Sequence, residues 1–158
     1  MRRMIAAKLH NVTGIMNRFT AVFNRRQINV ISITAGVTES QEMTHSTFVI
    51  EVDDLEEVEQ IIKQLERLID VIEVEDITDI PHVAREVVLI KVTAPPSRRA
   101  EIFTMIDPFR VNVIDVNRDN ITIQLTGDSA KIEALIDVVE PYGILQMART
   151  GTAGFARG

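Results

Sequence analysis

The chain has no cysteine and no tryptophan, and its three histidines lie far apart at positions 10, 45 and 82. Without cysteine there are no disulfides, thiolate metal sites or cysteine nucleophiles, and the histidine spacing fits no metal-binding motif. We therefore expect no metal site. Aromatic residues make up only 4% of the chain. A sheet that binds single-stranded RNA needs exposed aromatic side chains on which bases stack, so this composition argues against RNA binding.

Long apolar runs and an excess of positive charge are also absent. No stretch of about 20 apolar residues could span a bilayer, and no apolar segment follows a basic one as in a signal peptide. The net charge of −6 argues against nonspecific binding to nucleic acid or anionic lipid. The 158 residues, of which 46% are hydrophobic, suffice for one or two small domains. We expect a cytoplasmic globular protein with neither nucleic acid nor membrane as a partner.

The charges that are present are unevenly distributed. The first 38 residues contain six basic residues and no acidic one, whereas five acidic residues lie between positions 53 and 59. Two interpretations remain open at this point. The charges form either two solvated faces, or a basic docking surface whose complementarity to a protein partner sets orientation and association rate.

Hydrophobic periodicity predicts a repeated order of elements. Alternation predicts a first strand over residues 3–9, and helical spacing predicts an amphipathic helix over residues 14–26 with Thr13 as its N-cap. Runs rich in β-branched residues predict a hairpin, and a second helix and a fourth strand follow it. These later elements are predicted at residues 30–37, 43–52, 55–68 and 71–77.

The same order recurs in the second half of the chain. Strands are predicted at residues 86–93, 111–116, 121–126 and 143–148, and helices at residues 96–106 and 129–139. Two successive β-α-β-β-α-β units predict an α+β protein of two ferredoxin-like domains, over residues 1–77 and 82–158, each with both helices on one face of an antiparallel sheet. The glycine-rich end, residues 149–155, has no predicted element, and we expect it to pack as an extended cover.

Residues 9–14 form a loop between the first strand and the first helix. Free backbone N–H groups at a helix N-terminus, with the positive end of the helix dipole behind them, bind a carboxylate or a phosphate. An amino acid also needs acceptors for its ammonium and an apolar wall, and Asn11, Gly14, Ile15, Asn29 and Val30 offer these surfaces. In the alternative, the asparagines bond only to local backbone and the glycine relieves crowding.

The sequence shows no recognisable grouping of catalytic residues. No segment offers a nucleophile beside a base, a pair of carboxylates in a cleft or a metal cluster. His10 lies next to the loop, but at the end of a strand it is interpreted as an ordinary turn residue. We therefore predict no catalytic residue.

Several stretches carry a resemblance to a known family. They are Asn11-Val12-Thr13-Gly14, Asn17-Arg18-Phe19, Arg25-Arg26-Gln27-Ile28-Asn29-Val30, Arg85-Glu86-Val87 and Ala148-Arg149-Thr150-Gly151. In these stretches the chain resembles the regulatory, or small, subunit of acetohydroxyacid synthase, also called acetolactate synthase. The resemblance covers essentially the whole chain.

The resemblance implies an ACT domain up to about residue 77, which pairs into a homodimer, and a second domain that activates a catalytic subunit. It implies that this chain is not itself the catalyst and holds no cofactor, since thiamine diphosphate, Mg and FAD belong to the large catalytic subunit. The implied effector is valine or a related branched-chain amino acid, which acts by feedback inhibition. The implied effector-binding residues are Asn11, Thr13, Gly14, Ile15, Asn29 and Val30, with Asn11 and Gly14 of one chain facing Asn29 and Val30 of its partner.

Two other classes of function stay open on the residues alone. One is a free-standing amino-acid sensor that uses the same loop without a catalytic partner. The other is a small enzyme of the same fold, such as an acyl phosphate hydrolase working through an arginine and an asparagine.

Overall fold

Two antiparallel sheets, each covered on one face by two helices, make up the computed structural model, which describes residues 1–158. The first compact unit comprises residues 1–84 and 151–158, and the second comprises residues 85–150. Each unit has its own hydrophobic core. The prediction of two ferredoxin-like β-α-β-β-α-β units is confirmed.

The first unit contains six elements before the chain leaves it. They are β1 (Arg2–His10), α1 (Ile15–Arg25), β2 (Asn29–Val37), β3 (Met43–Glu51), α2 (Leu55–Glu66) and β4 (Val71–Asp76). The strands lie in the order β2-β3-β1-β4, so β2 and β4 are the edges of the sheet. The core centres on Phe48, whose ring stacks on Phe19 of α1 at a centroid distance of 4.6 Å.

Helix α2 begins at hydrogen bonds made by two acidic side chains that are close together in the sequence. The side chain of Asp54 accepts a hydrogen bond from the Glu57 backbone N–H at 2.9 Å, and the Glu57 carboxylate accepts one from the Asp53 N–H at 2.9 Å. The first bond satisfies a backbone donor that the first turn of a helix leaves free, and the second ties the residue before the N-cap to the helix. Some of the acidic residues at positions 53–59 therefore fix the start of a helix, and they do not serve only as a solvated surface.

The second unit repeats the arrangement. Its elements are β5 (His82–Thr93), of which residues 85–93 belong to this unit, α3 (Arg99–Ile106), a 3₁₀ turn (Asp107–Phe109), β6 (Asn112–Val116), β7 (Asn120–Gly127), α4 (Ser129–Val139) and β8 (Ile144–Arg149). The strand order is β6-β7-β5-β8. The buried carboxylate of Glu86 accepts a hydrogen bond from the Arg149 guanidinium at 2.7 Å, and this bond raises the pKa of Arg149 against the opposing effect of burial. The ion pair fastens β5 to β8 inside this unit.

Several boundaries differ from the predicted ones for local reasons. Helix α3 begins at Arg99 and not at residue 96, because the Arg98 N–H donates to the Pro95 carbonyl at 2.9 Å and residues 95–98 form a separate turn. Strand β5 begins at His82, four residues earlier than predicted, because it also pairs with a last strand, β9 (Ala153–Ala156). Phe103 of α3 is 37% exposed. No helix of the structure is both long and apolar enough to cross a bilayer.

Candidate functional site

A concavity of about 340 Å³ opens at the N-terminus of α1, and we call it the α1 concavity. It lies between the loop that follows β1 and the last residues of β2. Its lining residues are Asn11, Val12, Gly14, Ile15, Met16, Asn17, Ala35, Gly36, Val37 and Thr44.

Strand register brings these distant segments together. Strand β3 lies between β1 and β2, and Thr44 of β3 is opposite Leu9 on one side and Val37 on the other. The end of β1 and the end of β2 therefore lie at the same edge of the sheet. Asn11 fastens the loop there, because its backbone N–H donates to the Glu42 carbonyl at 2.8 Å and its Nδ2 donates to the Gln41 carbonyl at 2.9 Å.

Gly14 is the N-cap of α1 and has a left-handed backbone, with φ of 83°. The prediction of Thr13 as the N-cap is wrong, because the chain turns into the helix through this left-handed position, which favours glycine, and no side chain caps the helix. The N–H of Ile15 donates to the Val12 carbonyl at 3.2 Å, whereas the N–H groups of Met16 and Asn17 have no acceptor within the chain. These two free donors lie at the positive end of the helix dipole, where a bound anion is stabilised.

One cation lies close to this loop. The guanidinium of Arg18 pairs with the Asp70 carboxylate at 2.8 Å, and a Cβ added to Gly14 would lie 3.2 Å from Arg18 Nη1. No carboxylate oxygen lies within 4 Å of the Cβ position at Gly14, so the cation is nearer than its counter-ion to the glycine. A carboxylate bound at the free N–H groups therefore meets no opposing negative charge from the lining side chains.

The lining of the α1 concavity combines polar groups with an apolar wall. Its lining has no carboxylate, histidine, lysine or cysteine side chain that could act as nucleophile, acid or base. Ile15, Met16 and Val37 provide an apolar wall, and the Oδ1 of Asn11 remains an acceptor because its Nδ2 holds the loop. No group of three or more histidines, aspartates or glutamates is arranged to hold a metal ion.

Within a single chain, the six residues predicted to bind the effector do not all lie in the same place. Asn11, Gly14 and Ile15 line the α1 concavity, while Thr13 is exposed beside it and is not part of the lining. Asn29 and Val30 begin β2, opposite Glu51 and Ile50, at the other end from Gly36. Asn29 and Gly36 are seven residue steps apart along the strand, which is roughly 23 Å at about 3.3 Å per step.

Sequence reasoning missed part of the lining. It did not single out Val12, Met16, Asn17, Ala35, Gly36, Val37 or Thr44 as site residues. The predicted hairpin over residues 30–37 and 43–52 contained a usable signal, because pairing its strands across the short turn places Val37 beside Thr44. What was lacking was the position of β1 next to β3, which brings the loop to the same edge.

Strand β2 is an edge strand that carries exposed apolar side chains. One of its sides pairs with β3 and the other pairs with no strand of the chain. Ile31 and Ile33 are 39% and 41% exposed. An unpaired edge with exposed isoleucines is a template for pairing with another strand.

Two family models match the chain, one in each half. The model described as an AHAS small subunit-like ACT domain matches residues 5–73, and the model described as the small subunit of acetolactate synthase matches residues 85–158. The chain is 84% identical to the acetolactate synthase small subunit of Lactococcus lactis over 158 residues, which cover 100% of both chains. It is 50% identical to that of Bacillus subtilis, covering 100% of this chain and 92% of the relative.

A solved structure shows the same architecture. The crystal structure of the acetolactate synthase small subunit from Thermotoga maritima matches with a TM-score of 0.87 and 33% identity. The match covers 100% of this chain and 98% of that one. The resemblance thus extends over both units.

Proposed function

This chain belongs to the acetolactate synthase small-subunit family, and from that premise we propose that it activates the catalytic subunit and makes it sensitive to valine or a related branched-chain amino acid. In this proposal residues 1–77 bind the effector and form the dimer, and residues 82–158 serve activation. Thiamine diphosphate, Mg and FAD bind to the large catalytic subunit. We expect the assembled enzyme to work in the cytoplasm.

The α1 concavity is the observation that carries the proposal. The free N–H groups of Met16 and Asn17 suit a carboxylate, the Oδ1 of Asn11 suits an ammonium, and Ile15 and Val37 suit a short branched side chain. These are the three parts of a branched-chain amino acid. The lining supports recognition of such a ligand and offers no group for its chemical conversion.

The second half of the predicted site is proposed to come from another copy of the chain. Pairing of two β2 edges in an antiparallel, two-fold arrangement sets the start of one strand beside the end of the other. Asn29 and Val30 of one protomer would then lie near Gly36 and Val37 of its partner. Within one chain these two groups of residues are roughly 23 Å apart, so in this proposal a complete site requires two protomers.

Regulation follows from linkage between the effector and the state of the enzyme. Valine inhibits only if it binds more tightly to the inhibited arrangement than to the active one. A coupling free energy of about 1–3 kcal/mol corresponds to a change of about 5- to 150-fold in affinity, which is enough for feedback.

Reconstitution tests the proposed function. The chain is mixed with a purified catalytic subunit, and acetolactate formation is followed while valine, leucine and isoleucine are titrated. We expect acetolactate formation to rise on addition of the chain and to fall with at least one of the three amino acids. The activity of the catalytic subunit alone should respond to none of the three. Valine binding by the chain without any complex with the large subunit would favour the free-standing sensor instead. If the chain neither binds the catalytic subunit nor activates it, the proposal is refuted.

A further inference from the structure

The last residues of the chain lie across the first sheet, on the face that the helices leave open. We call residues 151–156 the strap. At β2, the Oγ1 of Thr34 donates to the Thr152 carbonyl at 3.0 Å. At the far side, Phe155 and Ala156 line a second concavity of about 250 Å³ with Lys8 of β1 and Glu73 of β4. The strap therefore crosses the sheet from one edge strand towards the other.

The middle of the strap is held at Gly154. The fully buried Thr47 hydroxyl accepts a hydrogen bond from the Gly154 N–H at 3.1 Å and donates to the Gly154 carbonyl at 3.2 Å. The Nε2 of His45 lies 2.7 Å from the same carbonyl. A Cβ on Gly154 would lie 3.0 Å from the Val83 carbonyl oxygen, so the strap fits too closely for a side chain there. These contacts define one docked position.

The strap and the α1 concavity use the same two stretches of backbone. Thr34 of β2 bonds to the strap, and the next residue, Ala35, lines the α1 concavity. On β3, Thr44 lines the concavity and the next residue, His45, contacts the strap. Successive side chains of a strand point to opposite faces, so a shift of β2 or β3 caused by a ligand on one face is transmitted to hydrogen bonds on the other.

The strap is also joined directly to the second unit by the chain. It follows Thr150, whose backbone N–H donates to the Val87 carbonyl at 3.0 Å within that unit. Resting on the proposed function, we propose that the strap is the element that communicates occupancy of the α1 concavity to the second unit. The strap binds the sheet in one arrangement when the effector is present and in another when it is absent, and linkage makes the effect reciprocal.

Removing hydroxyl groups that hold the strap tests this proposal. The double variant Thr34→Val and Thr47→Val keeps the shape of both side chains and removes three strap hydrogen bonds. The matched control is Thr104→Val, which removes a 3.0 Å hydroxyl bond to the Ala100 carbonyl within α3. Both proteins are compared with the parent in the reconstituted enzyme for activation without valine and for the half-inhibitory valine concentration, and valine affinity is measured on each small subunit alone.

We expect the double variant to activate like the parent. Because the coupling is reciprocal, its own valine affinity should change by a factor no larger than the change in the half-inhibitory valine concentration. Its half-inhibitory valine concentration should rise by about 5- to 150-fold, the range of an allosteric coupling that has been lost. The Thr104→Val control should match the parent in all three measurements. Gly154→Ala, which displaces the strap by crowding and keeps both threonines, should behave like the double variant.

The outcomes separate the two proposals. If the folded double variant is inhibited at the parent's valine concentration, the strap proposal is overturned and the proposed function stands. If the parent itself responds to none of valine, leucine and isoleucine, the proposed function fails and the strap proposal falls with it. If the variants lose activation or do not fold, hydrogen exchange on the parent decides: valine must change the protection of the Gly154 amide, and unchanged protection overturns the strap proposal.

Discussion

Replacing Gly14 with aspartate tests whether the carboxylate of a ligand binds at the N-terminus of α1. The position has φ of 83°, and a non-glycine residue there costs roughly 1–2 kcal/mol, with aspartate and asparagine tolerated best. A carboxylate in the first turn regains about 0.3–1 kcal/mol from the helix dipole. The new Cβ would lie 3.2 Å from Arg18 Nη1, the end of a flexible side chain that can move. We therefore expect the variant to fold with a loss of stability of about 1 kcal/mol.

The same substitution should weaken effector binding far more than it weakens the fold. Two like charges about 4 Å apart repel by about 1 kcal/mol in bulk water and about 4 kcal/mol near a protein surface. Since 1.4 kcal/mol is about tenfold in affinity, the valine dissociation constant should rise between about fivefold and about a thousandfold. Arg18 offsets part of this repulsion because it can pair with either carboxylate, so we expect about tenfold to a hundredfold.

Gly14→Asn is the matched control, since asparagine shares the shape and the left-handed tolerance of aspartate but has no charge. Isothermal titration calorimetry gives the valine affinity of each variant, and the reconstituted enzyme gives activation and inhibition. The aspartate variant should still activate while losing inhibition, and its deficit relative to asparagine should shrink at high salt, which screens exposed charges. Equal valine affinity of the two variants would refute a carboxylate position next to Gly14.

Three further predictions concern the dimer and the two cores. Asn29→His should weaken valine binding and leave the melting temperature unchanged, because Asn29 is exposed and its proposed role is across the dimer; unaltered affinity by calorimetry would contradict that role. Phe48→Ala should lower the free energy of unfolding by about 3–5 kcal/mol in denaturant titration, because it removes the ring that stacks on Phe19. Arg149→Met should cost about 3 kcal/mol by leaving the buried Glu86 carboxylate unpaired, and the Arg149→Met, Glu86→Gln double variant should recover part of that loss.

Most elements of the fold could be predicted because their periodicity is local. Helix α4 begins and ends at the predicted residues, Ser129 and Val139, and β2 and β3 differ from prediction by one residue at one end each. The two extensions that were missed, β5 from His82 and the strand β9, depend on pairing with each other. Such pairing joins residues about 70 positions apart, and no periodicity within either segment records it.

The candidate site divides in the same way. The loop with Asn11 and Gly14 could be found, because a strand followed at once by an amphipathic helix predicts free N–H groups at the junction. Thr13 was predicted as N-cap from residue preference, but the left-handed backbone at Gly14 starts the helix without a side-chain cap. Gly36 and Val37 have no chemical feature that marks them as site residues, and only their position beside Thr44 and the loop brings them there.

By itself the amino-acid sequence determined the repeated order of strands and helices, and it predicted an anion-binding loop between the first strand and the first helix, because spacing, charge and turn preference are properties of neighbouring residues. The tertiary structure alone decided which strand ends share an edge, that β2 is left unpaired, and that residues 151–156 return to the open face of the first sheet. These facts depend on hydrogen bonds and packing between residues far apart in the chain, whose energies no local pattern contains.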